Sequence, residues 1–299
     1  MYVITGASGH TGTVAAKTLL ARGHSVRVLG RNAEHLRPLT SKGAEHFLCD
    51  LTDTDRLTKA FEGAQVVYAL IPPNLKDNDY RGFQDRVSDA ISAAVAATKT
   101  KFVVTLSSFG ADKADNTGPV VGLHNLEWKL NLIQDVNVLH LRPGYFMENT
   151  LAQVGAIKAF GTGMGPLRSE LRIPMIATRD VGVAAAEALL QLDFKGKQTR
   201  ELLGQRDLTM PEAMTIIGKA VGKPDLGYVQ APDEQFEAAV VQMGFSQNTA
   251  ELILEMAHAM NSGHMIALEP RSARNTTPTT FETFVEEEFV PAFQHATAA

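Results

Sequence analysis

Ile4-Thr5-Gly6-Ala7-Ser8-Gly9-His10-Thr11-Gly12 decides the fold. An apolar strand runs into a G-x-x-G-x-x-G turn, and the turn runs into the helical stretch Val14 to Ala21. Gly6 lets the chain reverse, Gly9 removes a side chain where a pyrophosphate must approach, and Gly12 lets the helix pack close to the strand. The N–H groups at the start of that helix, flanked by Ser8, His10 and Thr11, then face phosphate charge. Glycines at this spacing mean little alone. Between a strand and a helix they predict dinucleotide binding.

The second strand reads Ser25-Val26-Arg27-Val28-Leu29 and ends in Gly30-Arg31-Asn32. A site for NAD places an Asp or Glu near this strand end, where it accepts from the ribose 2′-hydroxyl. No carboxylate appears here before Glu34. An acid would repel a 2′-phosphate, whereas a guanidinium donates two parallel hydrogen bonds to it. Arg31 therefore favours NADPH/NADP over NAD as the cofactor.

Composition sets the frame for this turn. A chain of 299 residues can bury one large core, or one core with a smaller lobe. With 44% hydrophobic and 20% charged residues it reads as an ordinary globular protein. A net charge of −5 and no basic stripe argue against nucleic acid as a partner. The single cysteine, Cys49, excludes an internal disulfide framework and suits a reducing compartment. No apolar run approaches the ~20 residues that span a bilayer, so no membrane partner is expected. The chain enters its first strand at Tyr2, leaving no room for a signal peptide, and a cytoplasmic location is the simplest reading. A small-molecule substrate is the expected partner, and a homodimer is compatible with the sequence.

Strand and helix patterns alternate through the first half. Strands are predicted near Tyr2–Thr5, Ser25–Leu29, His46–Leu48, Val66–Ile71, Phe102–Leu106 and Val138–Leu141. Helices are predicted near Thr13–Arg22, His35–Lys42, Asp53–Phe61, Tyr80–Thr98 and Leu123–Gln134. Strands this rich in Val, Ile and Leu are buried on both faces. The pattern predicts an α/β fold: a doubly wound parallel, Rossmann-like sheet with a smaller C-terminal substrate lobe. The expected division is a dinucleotide-binding domain over 1–150 and a lobe over 151–299, with about 171–204 returning to the core. In such sheets ligands collect beyond the carboxyl ends of the strands.

The third strand ends Cys49-Asp50-Leu51-Thr52-Asp53. Asp50 can accept from the adenine amine with Leu51 beside the ring, or it can serve a local turn; Asp53 reads as a helix cap. The fourth strand ends in Ile71 and Pro72, an apolar edge for the cofactor. After the fifth come Ser107 and Ser108. Either can bond a substrate oxygen or the nicotinamide carboxamide, and both can equally satisfy the backbone at the strand end.

The next helix carries His124-Asn125-Leu126-Glu127-Trp128-Lys129, and the sixth strand leads into Leu141-Arg142-Pro143-Gly144-Tyr145-Phe146-Met147-Glu148-Asn149. With the opening fingerprint, these segments resemble the atypical branch of the short-chain dehydrogenase/reductases, and within it the NmrA-like proteins. The resemblance covers about the first 200 residues. It implies NADPH-dependent quinone or triphenylmethane reductases, or cofactor-sensing regulators, with Lys129 holding the nicotinamide ribose. The chain departs from the superfamily four residues before Lys129, where Asn125 replaces the usual Tyr. His124 lies about 140° around the helix from Lys129 and is a poor geometric substitute.

The missing Tyr constrains the reaction. Reducing a simple ketone builds charge on oxygen, and a positioned acid helps by roughly 10²–10⁴-fold. A quinone spreads that charge over its π system and needs chiefly proximity and orientation. The expected function is hydride transfer from NADPH to a quinone or similar conjugated molecule. A redox sensor without turnover and a reductase of phenolic or terpenoid metabolites are the alternatives. The catalytic candidates are Lys129, Ser108, Tyr145 and His124; Tyr145, Phe146, Met147 and Asn149 would line the substrate cleft. Met164, Met243, Met256, Met260 and Met265 suggest an adaptable apolar pocket, although such residues more often fill a core. No metal is expected, because the histidines lack the spacing of a zinc helix.

Overall fold

A computed structural model describes residues 1–296; the last three residues of the expected lobe lie outside the described part. The first half alternates β1 (Tyr2–Ile4), α1 (His10–Ala21), β2 (Val26–Gly30), α2 (Ala33–Thr40), β3 (Glu45–Leu48) and α3 (Thr54–Phe61). It continues with β4 (Val66–Ala69), α4 (Tyr80–Thr98), β5 (Phe102–Leu106), α5 (Val120–Asn131) and β6 (Asn137–Pro143). Then follow β7 (Tyr145–Phe146), a 3₁₀ turn, α6 (Gln153–Phe160), β8 (Gly163–Gly165), β9 (Ile173–Ile176), α7 (Thr178–Gln191) and β10 (Lys197–Leu202). The remainder comprises β11 (Arg206–Leu208), α8 (Met210–Ala220), β12 (Tyr228–Gln230), α9 (Asp233–Gln242) and α10 (Gln247–Ser262). A last helix, Phe281–His295, contains a π-helical turn over Val285–Phe289.

Seven parallel strands in the order β10-β6-β5-β4-β1-β2-β3 form the main sheet. Its side chains alternate between two cores, as the period of a strand requires. Ile4, Val28, Tyr68, Val104 and Leu139 face α1 and α7, while Val3, Leu29, Val67, Val103 and Val138 face α3, α4 and α5. A third core, built on β7, β9, α8 and the C-terminal helix, belongs to the smaller lobe. There β9 lies between β7 and β11, and β8 pairs with β12. Short strands of two to four residues carry too little periodicity to be read from sequence.

Two buried carboxylates tie the C-terminal segment across this body. Glu201 on β10 accepts from the Leu268 and Glu269 N–H groups. Asp180 on α7 accepts from the N–H and hydroxyl of Thr279.

Within β6, His140 is fully buried. Its Nε2 donates to Asn131 Oδ1 at 3.0 Å, leaving Nδ1 to accept from the Thr105 hydroxyl at 2.8 Å. Burial pushes its pKa down to about 4, so the ring is neutral in the folded state. The unfolded chain takes up that proton near pH 6.5, so stability is complete above that value and declines as pH falls toward 4. The expected loss from this one ring is about 3 kcal/mol at the acid end. Urea midpoints measured from pH 7 to 4 should fall less steeply for His140→Gln than for the parent; equal slopes would remove the ring as the cause.

Candidate active site

The glycine turn adopts the form its sequence demands. Gly6 has φ +59°, in the region that favours glycine. A Cβ on Gly12 would lie 2.4 Å from Gly6 O, so α1 packs directly on the turn. A Cβ on Gly9 would meet only Gly6 O, at 3.3 Å, which leaves the space over Gly9 open. No side chain caps the α1 N-terminus. Ser8, Gly9 and His10 are exposed there. Thr11 is instead buried and its hydroxyl accepts from Tyr68, so its side chain serves the core and not a ligand. Open space, free helix N–H groups and exposed Ser8 and His10 fit a dinucleotide pyrophosphate.

Arg31 is exposed at the end of β2. Asp50 lies across from it: Oδ1 accepts from the N–H and hydroxyl of Thr52. The backbone bond, then the Thr52 hydroxyl and the Arg31 charge, outweigh desolvation and hold the carboxyl below its usual range. Asp50 thus serves the local turn, and Asp53 caps α3 through Arg56 N–H. Leu51 and Cys49 are buried, the thiol pushed up to about 11 chiefly by that burial. Ile71 and Pro72 are half-buried at the end of β4.

Glu127 organises the far side of the cleft. It is 5% exposed and accepts from Arg142 Nε at 2.9 Å, Arg142 Nη2 at 2.6 Å and Ser107 Oγ at 2.5 Å. Burial alone would pull Arg142 down, but the hydrogen-bonded carboxylate leaves it above its ordinary value. Sequence reasoning missed this pair, although a signal existed. Glu127 and Asn131 are one turn apart on α5, about 6 Å. Arg142 and His140 are two residues apart on β6, about 6.6 Å. The two rows match and pair one to one.

These contacts revise the expected roles of several residues. Ser107 spends its proton on Glu127, and Ser108 donates to the Phe109 carbonyl. Neither hydroxyl is a free donor, though both oxygens retain lone pairs. His124 Nδ1 bonds the Ala111 carbonyl, which holds the ring against the loop after β5. Lys129 is engaged with α4 in this arrangement. It sits in the last turn of α5, about 13 Å along the helix from the end nearest the cleft. Its Nζ donates to Ser88 Oγ at 2.8 Å and pairs with Asp89 at 2.7 Å and Asp85 at 3.5 Å, all on α4. Asn125 bonds Asp85 on the same helix. Lys129→Met should therefore change cofactor affinity and turnover by less than about threefold, the scale of a surface pair. A tenfold rise in the NADPH dissociation constant would restore Lys129 to the site.

After β6, Tyr145 is half-buried beside Met175 of β9 and the exposed Asn149. Burial pushes its hydroxyl up to about 12, so it remains a protonated donor at neutral pH. Phe146 packs partly on the main core. Met147 is 1% exposed in the core of the lobe, so it does not line the cleft. Glu148 turns back to α7, its Oε1 accepting from the Thr178 N–H and hydroxyl. Of the methionines, Met260 and Met265 line a cavity of about 350 Å³ with Phe109, Leu171 and Ile173. Met243 is exposed on the surface, and Met256 packs on the lobe's core. Among the described residues no three His, Cys, Asp or Glu side chains stand together as a metal site, and no helix is long and apolar enough to cross a membrane.

A parallel sheet in this strand order, with a glycine turn at its first crossover, defines a Rossmann-like α/β fold, and the sheets of such folds collect ligands beyond the carboxyl ends of their strands. The family model of the NmrA-like family matches residues 2–286, and the chain belongs to that family. Among curated relatives, the NAD(P)H azoreductase of Xenophilus azovorans is 25% identical over 260 residues, 86% of each chain. The NADPH complex of quinone oxidoreductase QOR2 from Escherichia coli superposes with a TM-score of 0.81 at 22% identity, covering 97% of this chain and 100% of that one. The NADP(H) complex of Citrobacter sp. triphenylmethane reductase gives 0.79 at 18% identity, covering 95% and 98%. These proteins are named for NAD(P)H-dependent reductions, and the two structures share the fold of this chain.

Proposed function

We propose that this chain is an NADPH-dependent oxidoreductase acting on a quinone or a similar conjugated small molecule. The observation that carries the proposal is the open space over Gly9 at an uncapped helix N-terminus, with an exposed guanidinium at the end of the adjacent strand. When bound, the cofactor supplies the hydride. The loop N–H groups hold its pyrophosphate and Arg31 its 2′-phosphate, while Leu51, Ile71 and Pro72 flank it along the strand ends. Residues 1–150 carry most of this site, and the part beyond supplies the acceptor's walls, with about 171–204 completing the core.

Ser107 keeps its hydrogen on Glu127 and accepts from the carboxamide amine, so it orients the ring and does not act as an acid. Tyr145 supplies the donor to the acceptor's oxygen. The cavity at Phe109, Met260 and Met265 combines apolar walls with the polar groups of Arg168, Arg172 and Asp207, a lining that suits a flat ring carrying polar substituents. With one weakly acidic hydroxyl and no Tyr–Lys couple, the site favours acceptors that delocalise charge over simple ketones.

The purified protein should oxidise NADPH in the presence of 1,4-benzoquinone or menadione, and NADH much more slowly. Arg31→Ala should reduce the NADPH-over-NADH preference about tenfold to a hundredfold, the range of a charge-assisted fork. Tight NADPH binding with no turnover on quinones, enones or imines would sink the enzyme reading in favour of a cofactor sensor. An undiminished preference in Arg31→Ala would sink the assignment of Arg31.

A further inference from the structure

A cavity of about 370 Å³ continues from the glycine turn. Ser8, Gly9 and His10 form one wall, and Thr178 and Arg179 at the start of α7 form another. The turn from Gly6 to Thr13 contains no Lys or Arg. A pyrophosphate seated there meets N–H groups and a helix dipole but no fixed cation from the loop itself. Arg179 is the one Lys or Arg among the residues lining the cavity, and the other charged side chains in that lining are the acids Glu148 and Glu288. Without Arg179 the cavity would repel the group the turn is shaped to hold.

The Arg179 guanidinium is now held loosely. Nε donates to Thr279 Oγ1 at 3.1 Å, and Nη1 pairs with Glu287 in the π-helical turn. The side chains of Arg179 and Glu287 are 39% and 52% exposed. Ion pairs this open to water contribute little and are readily exchanged. A pyrophosphate offers two charges and matches the guanidinium fork.

We infer that Arg179 leaves Glu287 and clamps the cofactor's pyrophosphate, which makes it a cofactor-binding residue on the far side of the cleft from the glycine turn. The inference rests on the dinucleotide reading above. Glu287 is then a competing anion, so substitutions at the two ends of the same ion pair act in opposite directions.

The test titrates the full chain with NADPH and, separately, with adenosine 2′-phosphate, which lacks the pyrophosphate. Arg179→Gln should weaken NADPH about tenfold or more and leave adenosine 2′-phosphate unchanged. Glu287→Gln should bind NADPH several-fold tighter than the parent, and unchanged or weaker binding counts against the inference. Equal weakening by both variants would overturn the inference, showing that Arg179 only fastens the C-terminal helix. So would unchanged NADPH affinity in Arg179→Gln. Where that variant folds poorly, the sign of the Glu287→Gln effect decides alone. NADH carries the same pyrophosphate, so a preference for NADH would sink the 2′-phosphate reading while leaving Arg179 in place. Absence of binding by either dinucleotide would remove both.

Discussion

Glu127→Leu should lower the free energy of unfolding by about 3–5 kcal/mol, because it leaves the Arg142 guanidinium buried without a counter-charge. Glu127 holds three donors, and two of them belong to a side chain with little access to water. The cost is that of the stranded charge and not the net worth of the pair. Glu127→Leu combined with Arg142→Met should therefore recover most of the loss, a large positive coupling in a double-mutant cycle. Urea unfolding of the four proteins measures it. Additive losses would show that the two residues act independently. The substitution also releases Ser107, so any surviving turnover should show a poorly held nicotinamide.

Gly12→Ala should abolish useful cofactor binding, weakening NADPH at least about a hundredfold. The new Cβ would lie 2.4 Å from Gly6 O, 2.9 Å from Gly6 C and 3.0 Å from Ala7 Cα. All three belong to the backbone of the turn, so no side chain can swing aside. Either α1 moves outward or the turn opens, and each displaces the N–H groups that face the phosphates. Loss of one or two hydrogen bonds to a charged phosphate, at about 1.5–3 kcal/mol each, is worth about two orders of magnitude in affinity. Gly155→Ala is the control: it lies in α6 with no atom within 4 Å of its new Cβ. It should leave binding unchanged and raise stability by roughly 0.5–1 kcal/mol. Binding by Gly12→Ala within tenfold of the parent would show that the turn tolerates a side chain.

The α/β pattern was legible because parallel strands are apolar on both faces and glycine must stand where the chain reverses. Both features are local. The pairing of Lys129 is not legible in sequence, because its partner acids, Asp85 and Asp89, stand some forty residues earlier on a different helix. The sequence neighbours of Met147 point it to the cleft, yet the 3₁₀ turn that begins there directs it into the lobe. Arg179 opens a helix far down the chain, and only the fold sets it on one cavity with Gly9. The Glu127–Arg142 pair lies between these cases, readable only by matching helix rows against strand rows. Periodicity reports burial, whereas a site depends on which distant segments meet.

The position of β10 at the edge of the main sheet, with α7 packed against α1, has a bearing on synthesis. A ribosome that has released the first 150 residues has produced the whole glycine turn but neither of these pieces. Until residue 202 has emerged the sheet lacks its last strand, and the β6 edge is free to pair wrongly in the interval. Expression of the amino-terminal half as a separate fragment should accordingly yield insoluble material.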